Sequence, residues 1–240
     1  MTDLVLVKAK LRRDLSANAL AALLVPAESG ARASAAHRLV WALFADAPER
    51  RRDFLWRQTS PGEFLVLAAR PPEDPHALFQ IQHKPFAPVL HAGQRLAFNL
   101  RVNPVVAEAP ARPGERGKRR DVVTRAIAAL PLQPDSEKRR AERFAAMRDA
   151  VGKWLARQGA RQGFSPDLAA DRLRIDDEDW VRIPRDGCRA ISFLAIGLDG
   201  VLTVDDPAKF LARLPVGFGA ARAFGCGLML IRRAPRDSDT

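Results

Sequence analysis

Gly217-Phe218-Gly219-Ala220-Ala221-Arg222-Ala223-Phe224-Gly225-Cys226-Gly227-Leu228 holds four glycines in eleven residues, Gly217 to Gly227. Before it, Asp205 or Asp206 caps a helix that has Pro207 in its first turn and Phe210, Leu211 and Leu214 facing inward. After it, Leu228 to Ile231 reads as a strand. Glycines in a helix-to-strand connection let backbone amides approach a bound group and adopt positive φ, and such a run can cradle phosphates. It is neither a dinucleotide fingerprint nor a P-loop: it follows a helix instead of a strand, and Gly-Lys-Ser/Thr is missing. Phe218 and Phe224 argue against a merely flexible loop.

Working outward, Trp180 to Ile183 and Ala190 to Ile196 read as a hairpin closed by Arg185-Asp186-Gly187, and Val201 to Val204 as a short strand entered from Asp199-Gly200. A helix from Ser136 to Arg157 puts Phe144, Met147, Val151, Trp154 and Leu155 on one stripe. In the first half, Leu4 to Ala9 is a strand and Ser34 to Phe44 a helix with Leu39, Val40, Leu43 and Phe44 on one face. Phe54 to Gln58 and Phe64 to Ala69 are strands joined at Ser60-Pro61-Gly62, and Gln94 to Val102 is an alternating, half-buried strand. The first half reads as strand, helix, strand, strand, a poorly defined Pro-rich segment from Pro71 to Pro88, then strand, and the second half again ends in strand, strand, helix, strand. The expected fold class is α+β, two tandem ferredoxin-like (RRM-like, βαββαβ) domains at 1–109 and 126–240, with a basic linker at 110–125.

Lys and Arg total 39 against 28 acids, a net charge of +11. Such an excess suits a polyanion, whose released counterions favour binding. Cys188 and Cys226 lie far apart and form no Cys/His cluster, so neither a disulfide framework nor a zinc site is expected. The apolar run Leu4-Val5-Leu6-Val7 is too short for a signal peptide, and no stretch reaches the roughly 18 apolar residues of a membrane span. The expectation from these features is a cytoplasmic nucleic-acid-binding protein, monomeric when free, with no membrane partner, metal or cofactor.

The pattern Gly217-x-Gly219-x-x-Arg222-x-x-Gly225-Cys226-Gly227-Leu228 resembles the C-terminal motif of the CRISPR RNA-processing endoribonucleases of the CasE type, the processing subunit of type I-E Cascade. Other segments match in order: Leu4-Val5-Leu6; His37-Arg38-Leu39-Val40-Trp41-Ala42-Leu43-Phe44 with Arg52-Asp53-Phe54-Leu55; and Gly93-Gln94-Arg95-Leu96-x-Phe98-x-Leu100-Arg101-x-Asn103-Pro104. Gly117-Lys118-Arg119, Trp154-Leu155 and Gly200-Val201-Leu202-x-Val204-x-Asp206-Pro207 follow. The resemblance implies a protein that binds the CRISPR repeat stem-loop and cleaves at its 3′ base without a metal. The RNA's 2′-OH attacks the adjacent phosphate, giving a 2′,3′-cyclic phosphate and a 5′-OH, and the enzyme carries its product into Cascade with the other subunits.

His37 falls where this family places its catalytic histidine, in the first turn of the first helix, and imidazole exchanges protons near neutral pH. His76, His83 and His91 are read as non-catalytic. Where some relatives carry a tyrosine, three residues before the histidine, this chain has Ser34, and it has no tyrosine anywhere; Ala42 stands where some carry a lysine. Arg38 and Lys118, Arg119 and Arg120, or else loop amides, are the expected source of phosphorane stabilisation. Arg182, Arg185 and Arg189 resemble a basic hairpin used against the RNA stem, with Gly217, Gly219, Arg222, Gly225 and Gly227 shaping the RNA site. Two rivals stand beside the nuclease: a non-catalytic RNA-binding assembly subunit of the same fold, and an unrelated tandem RNA-binding module.

Overall fold

The computed structural model describes residues 4–12, 29–44, 51–75, 77–109, 112, 117–131, 137–169, 171–184 and 187–235. They divide into two compact units that alternate along the chain: Met1–Val89, Trp180–Phe193 and Leu211–Met229 make one, Leu90–Asp179, Leu194–Phe210 and Leu230–Thr240 the other.

In the first unit, β1 (Val5–Leu11) turns Val7 and Ala9 inward, both fully buried. Helix α1 (Ser29–Ala42) covers that face with Ala36, Leu39 and Val40. The helix starts earlier than expected, at Ser29, and the added turn contains Ala31 and Ala33, which are strong helix formers. β2 (Phe54–Ser60) and β3 (Glu63–Ala68) form a hairpin, and β4 (Phe79–Pro85) lies at the far edge, giving the order β2-β3-β1-β4. β1 runs antiparallel to both β3 and β4, with Val7 opposite Val66 and His83. That order is the ferredoxin-like arrangement. Phe44 stacks on Phe54 at 4.7 Å, and Phe64 meets Trp56 and Phe79 edge-on at 5.9 and 6.2 Å, so aromatic packing closes the core.

β4 occupies the Pro-rich stretch that carried no clear pattern. Only Phe79 in it is buried, and Gln80, Gln82, His83 and Lys84 are exposed, as suits an edge strand ended by proline. Asp74 starts it by accepting from the N–H groups of Leu78 and Phe79 at 3.0 and 2.9 Å.

The strand expected to close the first domain, Gln94–Val102, exists as β5 (Arg95–Val102) but pairs in the second sheet. Burial alternation identifies a half-buried strand and says nothing about which sheet receives it. Next come β6 (Val105–Ala107), β7 (Arg119–Asp121), α2 (Val122–Ala128), α3 (Glu137–Gln162) and β8 (Phe164–Pro166). β9 (Leu173–Ile183), β10 (Ile191–Val204), α4 (Pro207–Arg213) and β11 (Met229–Arg233) complete the chain. The sheet order β11-β5-β10-β8, with β9 paired to β10, repeats the ferredoxin-like arrangement of the first sheet.

Three further expectations change. No strand begins after Asp199-Gly200: β10 runs through it, and Gly200 sits opposite Phe98, where a Cβ would lie 2.9 Å from the ring. The basic stretch is not wholly a linker, because β7 pairs with β6 and Asp121 caps α2 by accepting from Val123 and Thr124, each at 2.9 Å. Phe144 is 49% exposed, whereas Trp154 is buried and donates from Nε1 to the Val105 carbonyl at 3.1 Å.

Asn103 is the buried polar side chain of the second unit. Its Nδ2 donates to Asp121 Oδ2 at 2.9 Å and to the Leu194 carbonyl at 2.8 Å, so one amide ties β5 to a helix cap and a strand. Asn103→Leu strands both acceptors and is expected to cost about 1–3 kcal/mol, read as a lower urea midpoint at unchanged slope.

Candidate active site

His37 lies well inside α1, not in its first turn, because the helix begins at Ser29. The helix N-terminus therefore does not supply charge at this imidazole. What reaches it comes from a distant part of the chain. His37 Nδ1 lies 2.8 Å from the Ala223 carbonyl oxygen, inside the glycine-rich segment. A carbonyl only accepts, so Nδ1 carries the proton and Nε2 keeps its lone pair. Phe224 lies tilted against the imidazole with centroids 5.6 Å apart, and Trp41 meets it edge-on at 6.2 Å. Phe224 is stacked in turn on Phe193 at 5.9 Å.

The glycines explain how the segment comes so close. Residues Arg222–Phe224 form one turn of 3-10 helix, packed against both α1 and β2. The turn is entered through Ala221 at φ 52° and left through Gly225 at φ 80°. A Cβ on Gly225 would stand 3.1 Å from the Trp56 indole, and one on Gly217 would stand 2.7 Å from Leu55. Leu55 and Trp56 are buried residues of β2, so the segment is seated on the first sheet. Its role is to bring a backbone carbonyl to the histidine as well as to line a surface.

Burial lowers the His37 pKa below 6.5, the Ala223 hydrogen bond opposes this, and the charges of Arg52 and Arg38 lower it further. The imidazole is therefore neutral at pH 7, with Nε2 free to accept a proton. Arg38 is exposed and donates to Ser34 Oγ at 3.4 Å. Ser34 thus stands one turn away, holding an arginine, where the resemblance expected a tyrosine.

The other expected site residues fall in both units. Gly217, Gly219, Arg222, Gly225 and Gly227 share the first unit with His37. Arg222 donates from Nη1 to the Val216 carbonyl at 2.6 Å. Arg182 and Arg189 are exposed on either side of the β9–β10 hairpin tip, and Arg185 lies outside the described residues, as does His76. Lys118, Arg119 and Arg120 are exposed in the second unit, Arg119 and Arg120 within β7, and Arg120 is bound to Glu108 at 3.0 Å. His83 and His91 are exposed, with no carbonyl clamp among the described contacts. Sequence reasoning passed over Arg52, which precedes β2 and whose charge reaches His37. Its position in the segment Arg52-Asp53-Phe54-Leu55, collinear with the histidine segment, was the available signal.

Two sheets of one order define a tandem ferredoxin-like protein with a clamped histidine on its first helix. The profile of the family described as "CRISPR associated protein" matches residues 6–233, and the chain belongs to that family. A CRISPR-associated endoribonuclease Cse3 of Thermus thermophilus is 31% identical over 156 residues, covering 62% of this chain and 60% of that protein. A solved CRISPR endoribonuclease Cse3 bound to a 19-nucleotide RNA is 26% identical over 97% of this chain and 99% of its own, with a TM-score of 0.66. The Cas6e protein of Escherichia coli K-12 shares the fold, with a TM-score of 0.57 at 22% identity over 96% of this chain and 100% of its own. Among the described residues, no helix is long and apolar enough to cross a membrane.

Gly225→Ala forces a Cβ against Trp56 at a left-handed position. It is expected to loosen the turn and release the Nδ1–H tautomer of His37, seen as movement of the imidazole 15N shifts toward a tautomer mixture.

Proposed function

We propose that the chain is an endoribonuclease that binds the stem-loop of a CRISPR repeat RNA and cuts at its 3′ base without a metal. The observation that carries this reading is the His37 Nδ1 contact to the Ala223 carbonyl, since it leaves Nε2 as a ready base in a neutral imidazole. In the step proposed, Nε2 takes the proton of a ribose 2′-OH, and that oxygen forms a bond to the adjacent phosphorus. The bond from phosphorus to the 5′-oxygen breaks, and the leaving oxygen takes up a proton from the imidazolium or from water. The products are a 2′,3′-cyclic phosphate and a 5′-OH. Proton transfer by a positioned histidine contributes about 10²–10⁴-fold, a size that suits slow, single-turnover processing. The exposed arginines Arg182 and Arg189, together with the net charge of +11, suit the phosphates of an A-form stem. The product then stays bound among the other Cascade subunits.

The deciding experiment incubates a cognate repeat RNA with wild-type protein and His37→Ala in EDTA. Cleavage by the wild type alone, leaving a cyclic phosphate end, is the expected result; binding without cleavage by either supports an assembly subunit instead. For base catalysis the log of kcat/KM rises with pH as the imidazolium loses its proton. Because burial and two arginines hold the pKa down, the midpoint of that limb lies below pH 6.5 and the rate levels off above it. A rate falling through the same range would assign His37 the acid role.

A further inference from the structure

Most arginines with described side-chain contacts here face an acid or a carbonyl. Arg70 holds Asp53 at 2.9 Å and Arg101 holds Asp177 and Asp179. Arg52, Arg213 and Arg222, all of the first unit, have no carboxylate partner among the described residues. Asp53, the acid next to Arg52 in the chain, is taken by Arg70.

The backbone brings these three together. Arg222 opens the 3-10 turn that packs on β2, while its Nη1 is bound to the Val216 carbonyl. The N–H groups of Val216 and Gly217 reach back to the Arg213 carbonyl at 3.1 and 3.0 Å, so Arg213 and the anchor of Arg222 belong to one turn. The Arg213 guanidinium lies over the Phe218 ring at 5.4 Å, and its Nε is buried with no hydrogen-bond partner. Arg52 leads into β2, whose Leu55 and Trp56 abut Gly217 and Gly225 of the same segment. Burial, and the charge of Arg222, lower the pKa of both Arg52 and Arg213. Three cations linked through the charge of Arg222, one with a buried donor left open, carry a cost that a bound anion would relieve.

We propose that Arg52, Arg213 and Arg222 form a phosphodiester-binding site next to His37, in which Arg52 meets the charge that develops on the scissile phosphate and the other two hold the adjoining backbone. The proposal rests on the nuclease reading for its catalytic half. Arg52 then supplies charge from the entrance of β2, since α1 offers only Ser34 and Ala42 at the positions flanking His37 that the resemblance singled out. Guanidinium suits this task because it stays charged through the reaction and offers a planar fork to two phosphate oxygens.

Two measurements separate catalysis from anion binding. In single-turnover cleavage of a cognate repeat stem-loop, Arg52→Gln is expected to slow the step on the order of 100-fold. Arg52→Lys recovers part of the loss, and RNA affinity, shared among many phosphate contacts, changes only a few-fold. Without RNA, His37 is titrated by NMR in chloride and in inorganic pyrophosphate. Pyrophosphate raises the His37 pKa in the wild type; in Arg52→Gln the pKa is already higher in chloride and the pyrophosphate response shrinks, and Arg213→Gln weakens pyrophosphate binding. Cleavage at the wild-type rate by Arg52→Gln, or a pyrophosphate response equal in wild type and variant, overturns the proposal. A wild type that leaves every repeat RNA intact, yet shows the Arg52-dependent pyrophosphate response, sinks the nuclease reading alone and supports the anion site.

Discussion

The hydrogen bond from His37 Nδ1 to the Ala223 carbonyl spans 186 positions of the chain, and the first unit is arranged so that it can form. A histidine on a helix surface has two titrating nitrogens and a rotatable ring. A backbone carbonyl at 2.8 Å removes one nitrogen from play and fixes the ring plane. Phe224 and Trp41 then hold the ring from two sides, so the remaining lone pair has a direction. A side-chain acceptor would have brought its own rotamers and, if a carboxylate, a charge that raises the pKa. A carbonyl orients the imidazole with a smaller rise, which burial and the neighbouring arginines outweigh.

That geometry constrains the glycine segment more than nucleic-acid contact alone does. The carbonyl must come from backbone lying flat on β2, and only residues without a Cβ fit over Leu55 and the Trp56 indole at φ near 80°. Phe218, buried beneath the segment, and Phe224, stacked on Phe193, anchor it. The glycines and the histidine, separate jobs by sequence position, are one piece of machinery in space.

The sequence carried the helix-to-strand setting of the glycines, the turn at Pro61-Gly62, the Asp206 cap and the hydrophobic faces of α1 and α3, because each has a local chemical signature. It did not carry β4, whose alternation is short: Phe79 and Ile81 pack on the core between exposed Gln80 and Gln82, and the His83, Lys84 and Pro85 that follow all lie in solvent. It misplaced β5, since a strand's own pattern is silent about its partner. It began a short strand at Val201, entered from Asp199-Gly200, where one long strand runs through, because Gly200 serves here to leave room for the Phe98 ring of the neighbouring strand. His37 was legible as a residue type in a family pattern, while its tautomer was not, since Ala223 is an ordinary residue whose contribution is a carbonyl. Arg52 was hidden for a related reason: an arginine beside an aspartate looks paired, and only the folded chain hands that aspartate to Arg70.

The lowered pKa of His37 and the crowding of cations around it belong to one electrostatic design. Burial makes protonation of the imidazole unfavourable and Arg52 and Arg38 add to it; burial and the charge of Arg222 do the same for Arg52 and Arg213. Each cost is of the kind a phosphodiester relieves on binding, because an anion between cations cancels the repulsion that the empty site endures. The relief grows as negative charge accumulates on phosphorus. An imidazole that has just accepted a proton then sits beside a phosphorane instead of beside bare arginines. In the proposed reaction, the field that favours a neutral His37 before attack would, with the phosphate in place, tolerate the imidazolium. In the proposed site, stabilisation comes from the charge of Arg52 and its neighbours, which fits a chain that has no tyrosine.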